Sequence, residues 1–144
     1  MMFQNILVPV DLSTHSTRAF KTALDIAKKY NSKLTLLTCL EIDTWHHLYF
    51  DSRASAAIVK KQSKDVKKHF EKLESLANKN DVSVQSKILT SESAANDIVR
   101  FAKSKKCDLI VIGSRSKTGF DKWLLGSVAN GVSQKANCPV LIVK

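Results

Sequence analysis

Asp108-Leu109-Ile110-Val111-Ile112-Gly113 decides the fold: four apolar, mostly β-branched residues run without a polar break from an acid to a glycine. A strand with one wet face alternates apolar and polar positions, whereas an uninterrupted run suits a parallel strand buried on both faces. Ile6-Leu7-Val8-Pro9-Val10, ended by Asp11 and Ser13, has the same character, and so does Pro139-Val140-Leu141-Ile142-Val143 at the other end of the chain. Residues 33–40 (KLTLLTCL) read as a second strand. Val82, Val84 and Ser86 alternate with polar neighbours before Ile88-Leu89, which suits a half-exposed edge strand.

Helical periodicity fills the gaps between these runs. After Ser13, the residues Ala19, Phe20, Ala23, Leu24, Ile26 and Ala27 recur at helical spacing, with Ser13 or Thr14 as N-cap and Lys28-Lys29 suited to the C-terminal end near Tyr30-Asn31. Residues 55–79 place Ile58, Val59, Gln62, Val66, Phe70, Leu73, Leu76 and Ala77 on one side and six lysines, Lys60, Lys61, Lys64, Lys67, Lys68 and Lys72, on the other. Residues 92–105 form a helix burying Ala95, Ile98, Val99 and Ala102, and residues 127–135 form the last one. Residues 41–54 (EIDTWHHLYFDSRA) break both periodicities and read as an irregular segment or a short turn of helix. Strands alternating with helices predict an α/β fold, a three-layer α/β/α sandwich with a five-stranded parallel, Rossmann-like sheet and right-handed crossovers.

The chain has 144 residues, the size of a single domain with one core. With 44% hydrophobic and 25% charged residues, four Gly and two Pro, the composition excludes collagen-like and disordered classes. No apolar run approaches the roughly 20 residues that span a bilayer, and Asp11 interrupts the N-terminus before a signal core forms, so a soluble, cytoplasmic protein is expected. Cys39, Cys107 and Cys138 lie far apart in sequence, with no zinc-ligand spacing, and read as buried, reduced thiols. A net charge of +10 favours an anionic partner.

Open α/β sheets bind ligands outside the carboxyl ends of their strands, where the winding direction reverses. If the chain winds outward over three strands and then returns, the loops starting at Asp11 and Gly113 face each other there. The second loop continues as Ser114-Arg115-Ser116-Lys117-Thr118-Gly119-Phe120-Asp121-Lys122-Trp123-Leu124-Leu125-Gly126-Ser127-Val128. Gly126-Ser127 opens a helix whose free N–H groups and positive dipole end suit a phosphate, and Arg115, Lys117 and Lys122 add cations. The competing reading makes Gly113 a strand end, Ser127 an N-cap and the bases solvated. Neither a GxGxxG fingerprint nor a Walker lysine loop is present.

Here the sequence resembles the universal stress protein family. The family's nucleotide motif has a glycine, two residues, a second glycine, nine residues, then Gly followed by Ser or Thr; Gly113, Gly126 and Ser127 fit, and Ser116 replaces the second glycine. Residues 6–11 look like the family's opening strand and acid, residues 107–113 like its fourth strand, and residues 126–143 like its final helix and strand. The resemblance implies strand order 3-2-1-4-5, a homodimer and, in one branch, bound ATP, with or without magnesium. By that likeness Asp11 and the main chain of Pro9 and Val10 face adenosine, Cys39 contacts adenine, and Ile112 and Gly113 lie by the ribose. Arg115, Ser116, Gly126, Ser127 and Val128 would line the phosphates. If the loop demands a left-handed conformation at Ser116, the serine costs roughly 1–2 kcal/mol, about five- to thirtyfold in affinity, so Ser116→Gly is expected to tighten ATP binding.

The apolar terminal strand, residues 139–143, would be an open edge and is expected to pair with a second copy. His46-His47 among aromatics reads as a loop on the sheet edge rather than a metal site or lid, and His15 and His69 as surface or capping residues. The lysine ridge lacks interleaved aromatics and reads as a solvated face, which disfavours nucleic acid. No catalytic constellation is suggested beyond slow ATP turnover. The alternatives are a nucleotide-free dimeric interaction module of the same fold and a basic nucleic-acid binder.

Overall fold

The structure, a computed structural model, describes residues 2–41, 52–115 and 125–144, with only the backbone of residues 52, 54 and 55. In chain order the elements are β1 (Asn5–Pro9), α1 (Thr14–Tyr30), β2 (Lys33–Glu41), α2 (Ser52–Lys79), β3 (Val84–Ser91), α3 (Ala94–Ser104), β4 (Leu109–Gly113), α4 (Ser127–Lys135) and β5 (Val140–Val143). All strand pairings are parallel, and the sheet order is β3-β2-β1-β4-β5. The central pairing sets Ile6 beside Leu109 and Leu7 beside Ile110, so winding reverses between β1 and β4 as the connection argument expects.

Because successive strand side chains alternate faces, the uninterrupted apolar runs feed two cores. Ile6, Val8, Leu34, Leu36, Leu109 and Val111 face α1 and α2, where Phe20, Ala23, Val66, Phe70 and Leu73 cover them. Leu7, Leu37, Ile110 and Ile112 face α3 and α4 and meet Ile98, Ala102, Ala129 and Val132. At the edge the pattern changes: β3 is only partly buried along its length, which is why its sequence alternates.

The helix ends follow local chemistry. Ser13, with extended backbone, accepts the Ser16 N–H at its side chain, and Asn31 closes α1 in the left-handed conformation. α3 begins later than the sequence reading, at Ala94, because the Ser93 side chain accepts the Asn96 N–H and so stands outside as N-cap. α2 begins earlier, at Ser52. Asp108 lies just outside β4, where its carboxylate accepts the N–H groups of Gln4 and Asn5 at 2.8 and 3.0 Å, joining the entries of β1 and β4. Residues 42–51, with His46 and His47, and residues 116–124, with Ser116, Lys117 and Lys122, lie outside the described residues. Among the described residues no helix is long and apolar enough to cross a membrane.

Candidate functional site

At the carboxyl ends of β1, β2 and β4 the chain encloses a cavity of about 490 Å3. It is lined by Pro9, Val10, Asp11, Cys39, Ile112, Gly113, Arg115, Gly126, Ser127 and Val128, so ten of the residues singled out in the sequence come together in one place. Such a volume lies within the roughly 300–1,000 Å3 of small-molecule sites.

The turn after β1 is held by its own side chains. The Asp11 N–H donates to the Ser16 hydroxyl at 3.1 Å, and that hydroxyl donates back to the Asp11 carbonyl at 2.9 Å. Asp11 Oδ1 accepts the Ser13 N–H at 2.7 Å, which leaves Oδ2 without a hydrogen-bond partner among the described residues. Val10 is more committed than the resemblance implies. Its N–H donates to Leu37 at 2.9 Å and its carbonyl accepts the Thr38 hydroxyl at 2.7 Å, so it offers shape rather than a free donor.

On the opposite wall, the Gly126 N–H donates to the Ser114 carbonyl at 2.7 Å, and the Gly126 carbonyl accepts the Asn130 N–H at 2.9 Å. Gly126, not Ser127, is therefore the N-cap of α4, which corrects the capping alternative. It provides no side chain to cap with, and the first turn holds no acid. The amides of Ser127, Val128 and Ala129 thus start the helix without intrahelical acceptors, and all three residues line the cavity. With Arg115 alongside, this wall is a cationic, donor-rich surface suited to an anion.

The third wall is apolar. Cys39 stands with Leu37, Leu40, Ala94 and Ile98. Burial first, then the Asp97 and Glu41 carboxylates, push the Cys39 thiol up to about 11, so it is a neutral sulfur at physiological pH. Sequence reasoning missed Ser16, Leu37, Leu40, Glu41, Gln62, Ala94, Ile98 and Ala129 as lining residues. Gln62 had a signal, being the one polar residue on the apolar side of its helix.

The histidines need correction. His15 and His69 are half-buried rather than surface residues, and His15 Nδ1 and His69 Nε2 are buried with no hydrogen-bond partner among the described residues. Burial, then the Lys72 ammonium, lowers the His69 pKa, while Asp11 opposes them, which places His69 within electrostatic reach of the cavity's acid. The cysteines are half-buried rather than fully buried, and Cys107 and Cys138 meet at the far end of the sheet.

The parallel sheet with reversed winding, its switch-point cavity and its bare helix start define a doubly wound, Rossmann-like α/β protein. The universal stress protein family model matches residues 2–144, and the chain belongs to that family. It is 33% identical over 145 residues to universal stress protein MJ0531 of Methanocaldococcus jannaschii, covering 99% of this chain and 83% of that protein. It is 31% identical to YxiE of Bacillus subtilis over 149 residues, covering 99% and 100%. Among solved structures, MJ0577 superposes with a TM-score of 0.88 at 26% identity, over 100% of this chain and 97% of that one. A universal stress protein in complex with cAMP superposes at 0.76 with 25% identity, over 100% and 99%. An Archaeoglobus fulgidus relative in complex with dAMP shares the fold, at a TM-score of 0.71 and 23% identity over 100% of both chains.

Proposed function

We propose that the cavity between Asp11 and Ser127 binds an adenine nucleotide, with ATP as the physiological ligand, and that the loaded chain acts as a homodimeric signalling or protective module. The carrying observation is the division of one cavity into an apolar end at Cys39, Leu37 and Ile98 and a cationic end at Arg115 and the start of α4. A base needs the first and phosphates need the second. The relative solved with cAMP supports an adenylate in this fold.

In this reading the neutral Cys39 sulfur packs against the base, and Asp11 Oδ2 accepts a hydrogen bond from a ribose hydroxyl. That orientation matters because an unpaired carboxylate against phosphate would repel it. The amides of Ser127, Val128 and Ala129 donate to phosphate oxygens, and Arg115 supplies charge. Ser116 would complete the phosphate end. Magnesium would arrive on the phosphates, since among the described residues no cluster of three His, Cys, Asp or Glu side chains offers a protein-held site. No residue is assigned a catalytic role. The second copy would pair along β5, the outer strand of the sheet beyond β4.

Extraction of the purified protein with assay for ATP, ADP and AMP, followed by calorimetry with ATP, tests the reading. Copurifying nucleotide or saturable binding with one site per chain is expected. No binding at millimolar ATP, with and without magnesium, refutes it and leaves a nucleotide-free module.

A further inference from the structure

The end of the sheet opposite the nucleotide cavity carries a cluster that the proposed function does not use. Cys107 stands between α3 and β4, and Cys138 stands just before β5. β4 and β5 pair with Ile110 beside Val140, and the Ile110 N–H donates to the Pro139 carbonyl at 3.0 Å. Cys107 and Cys138 each stand two residues before the first residue of these paired strands, on the same end of the sheet.

Their side chains face the same core. Both cysteines pack against the same buried cluster under α3 and α4. Both line a small cavity of about 90 Å3, whose rim carries Lys103, Lys106 and Asn137. The charge of one is felt by the other, since Cys138 helps raise the Cys107 pKa, as does Asp108. Both are free thiols. Spacing in the sequence concealed the pair, because the register of two strands, not a CxxC motif, brings it together.

We propose that Cys107 and Cys138 are an oxidisable thiol pair that an anionic low-molecular-weight disulfide, of the class of glutathione disulfide, closes into an intramolecular bridge across the entries of β4 and β5. Lys103 and Lys106 attract the carboxylates of such a reagent to the cavity. Burial, then the Asp108 carboxylate, raises the Cys138 pKa as well, and a backbone hydrogen bond opposes them in part, so Cys138 is taken as the leading thiol. It loses its proton and attacks one reagent sulfur, and the first reagent thiolate leaves and takes up the proton. Cys107 then loses its proton and attacks the Cys138 sulfur of the mixed disulfide, expelling the second reagent thiol. Two protein thiols are oxidised to one disulfide, and one reagent disulfide is reduced to two thiols.

Burial pushes the Cys107 thiol up to about 11, so closure is slow at neutral pH and geometry, not reactivity, sets the final balance. The closed loop encloses Gly113, Arg115, Gly126 and Ser127, four residues of the nucleotide cavity, and ties β5 to its neighbour. The bridge therefore links the redox state of the surroundings to the stiffness of that arm.

The test equilibrates the whole chain with glutathione and glutathione disulfide at neutral pH, folded and in urea, then blocks free thiols and maps the peptides. A Cys107–Cys138 bridge with Cys39 still free is expected in the folded protein. Its equilibrium constant should exceed that of the unfolded chain at least tenfold, because the fold holds the two thiols together. In Cys107→Ser a glutathione adduct should accumulate on Cys138. A bridge that forms no more readily in the folded than in the unfolded chain, adducts without a bridge in the wild type, three unchanged thiols, or an unmodified Cys138 in that variant would each overturn the proposal.

Discussion

The Gly126 N–H reaches the Ser114 carbonyl at 2.7 Å, and a Cβ built on Gly126 would lie 3.0 Å from that same oxygen and 3.3 Å from the Arg115 Cα. The start of α4 and the end of β4 are thus pressed together backbone to backbone, with no flexible side chain to give way. Gly126→Val should push α4 away from β4 and displace the unpaired amides of Ser127 and Val128. ATP affinity should fall at least tenfold, equivalent to about 1.4 kcal/mol, while circular dichroism stays native. Calorimetry showing wild-type affinity in this variant would remove the helix start from the phosphate end.

Gly113 is crowded for a different reason. Its added Cβ would stand 2.9 Å from the His15 carbonyl carbon and 3.0 Å from its oxygen, where α1 begins over the end of β4. No glycine among the described residues has positive φ, so space rather than conformation requires a glycine here. Gly113→Ala should cost about 1–3 kcal/mol of stability, the usual price of overpacking. Urea unfolding should show a lower midpoint at an unchanged slope; an unchanged midpoint would mean that α1 moves aside freely.

These two glycines show what the sequence made legible and what it hid. Both stand out as punctuation in the sequence, whereas the strand order came from the resemblance to the family, since the apolar runs alone give a reversal between β1 and β4 only if the chain first winds outward. Gly113 was expected to lie by a ligand and does line the cavity, but the space its missing side chain leaves is filled by the backbone of His15, a contact between residues nearly a hundred positions apart. Gln62 joins the cavity because α2 is long enough to reach across β2, and helix periodicity says nothing of reach. Asp11 was legible as a strand-end acid, but its bond to the Ser13 N–H, which settles which oxygen stays free, depends on the turn geometry.

Leu141 tests the proposed assembly. It lies in β5, at the edge of the sheet, and remains 38% exposed despite pairing beside Val111. A half-open apolar edge strand invites another chain. Leu141→Lys should convert a dimer into a monomer at micromolar concentration, seen by sedimentation, with little loss of secondary structure. A wild type that sediments at 16.0 kDa, or a variant that stays dimeric, rejects pairing through this strand.

His69 makes stability depend on pH. Burial lowers its pKa below the ordinary 6.5, Lys72 lowers it further, and Asp11 pulls the other way. Between the lowered folded value and 6.5 the unfolded chain holds more protons than the folded one, so stability rises with pH across that window. This contribution is fully present above 6.5 and is lost progressively as pH falls to the folded value, below which it changes no further. His69→Gln should flatten that part of the stability profile, measured by urea unfolding between about pH 5 and 8. Asp11→Asn should do the reverse: with the stabilising carboxylate gone, the folded His69 titrates lower still and the sloping window extends to more acidic pH. An NMR titration that finds the His69 ring at or above 6.5, or an Asp11→Asn variant that leaves its midpoint unmoved, would show that the imidazole neither suffers burial nor feels the acid at the cavity's edge.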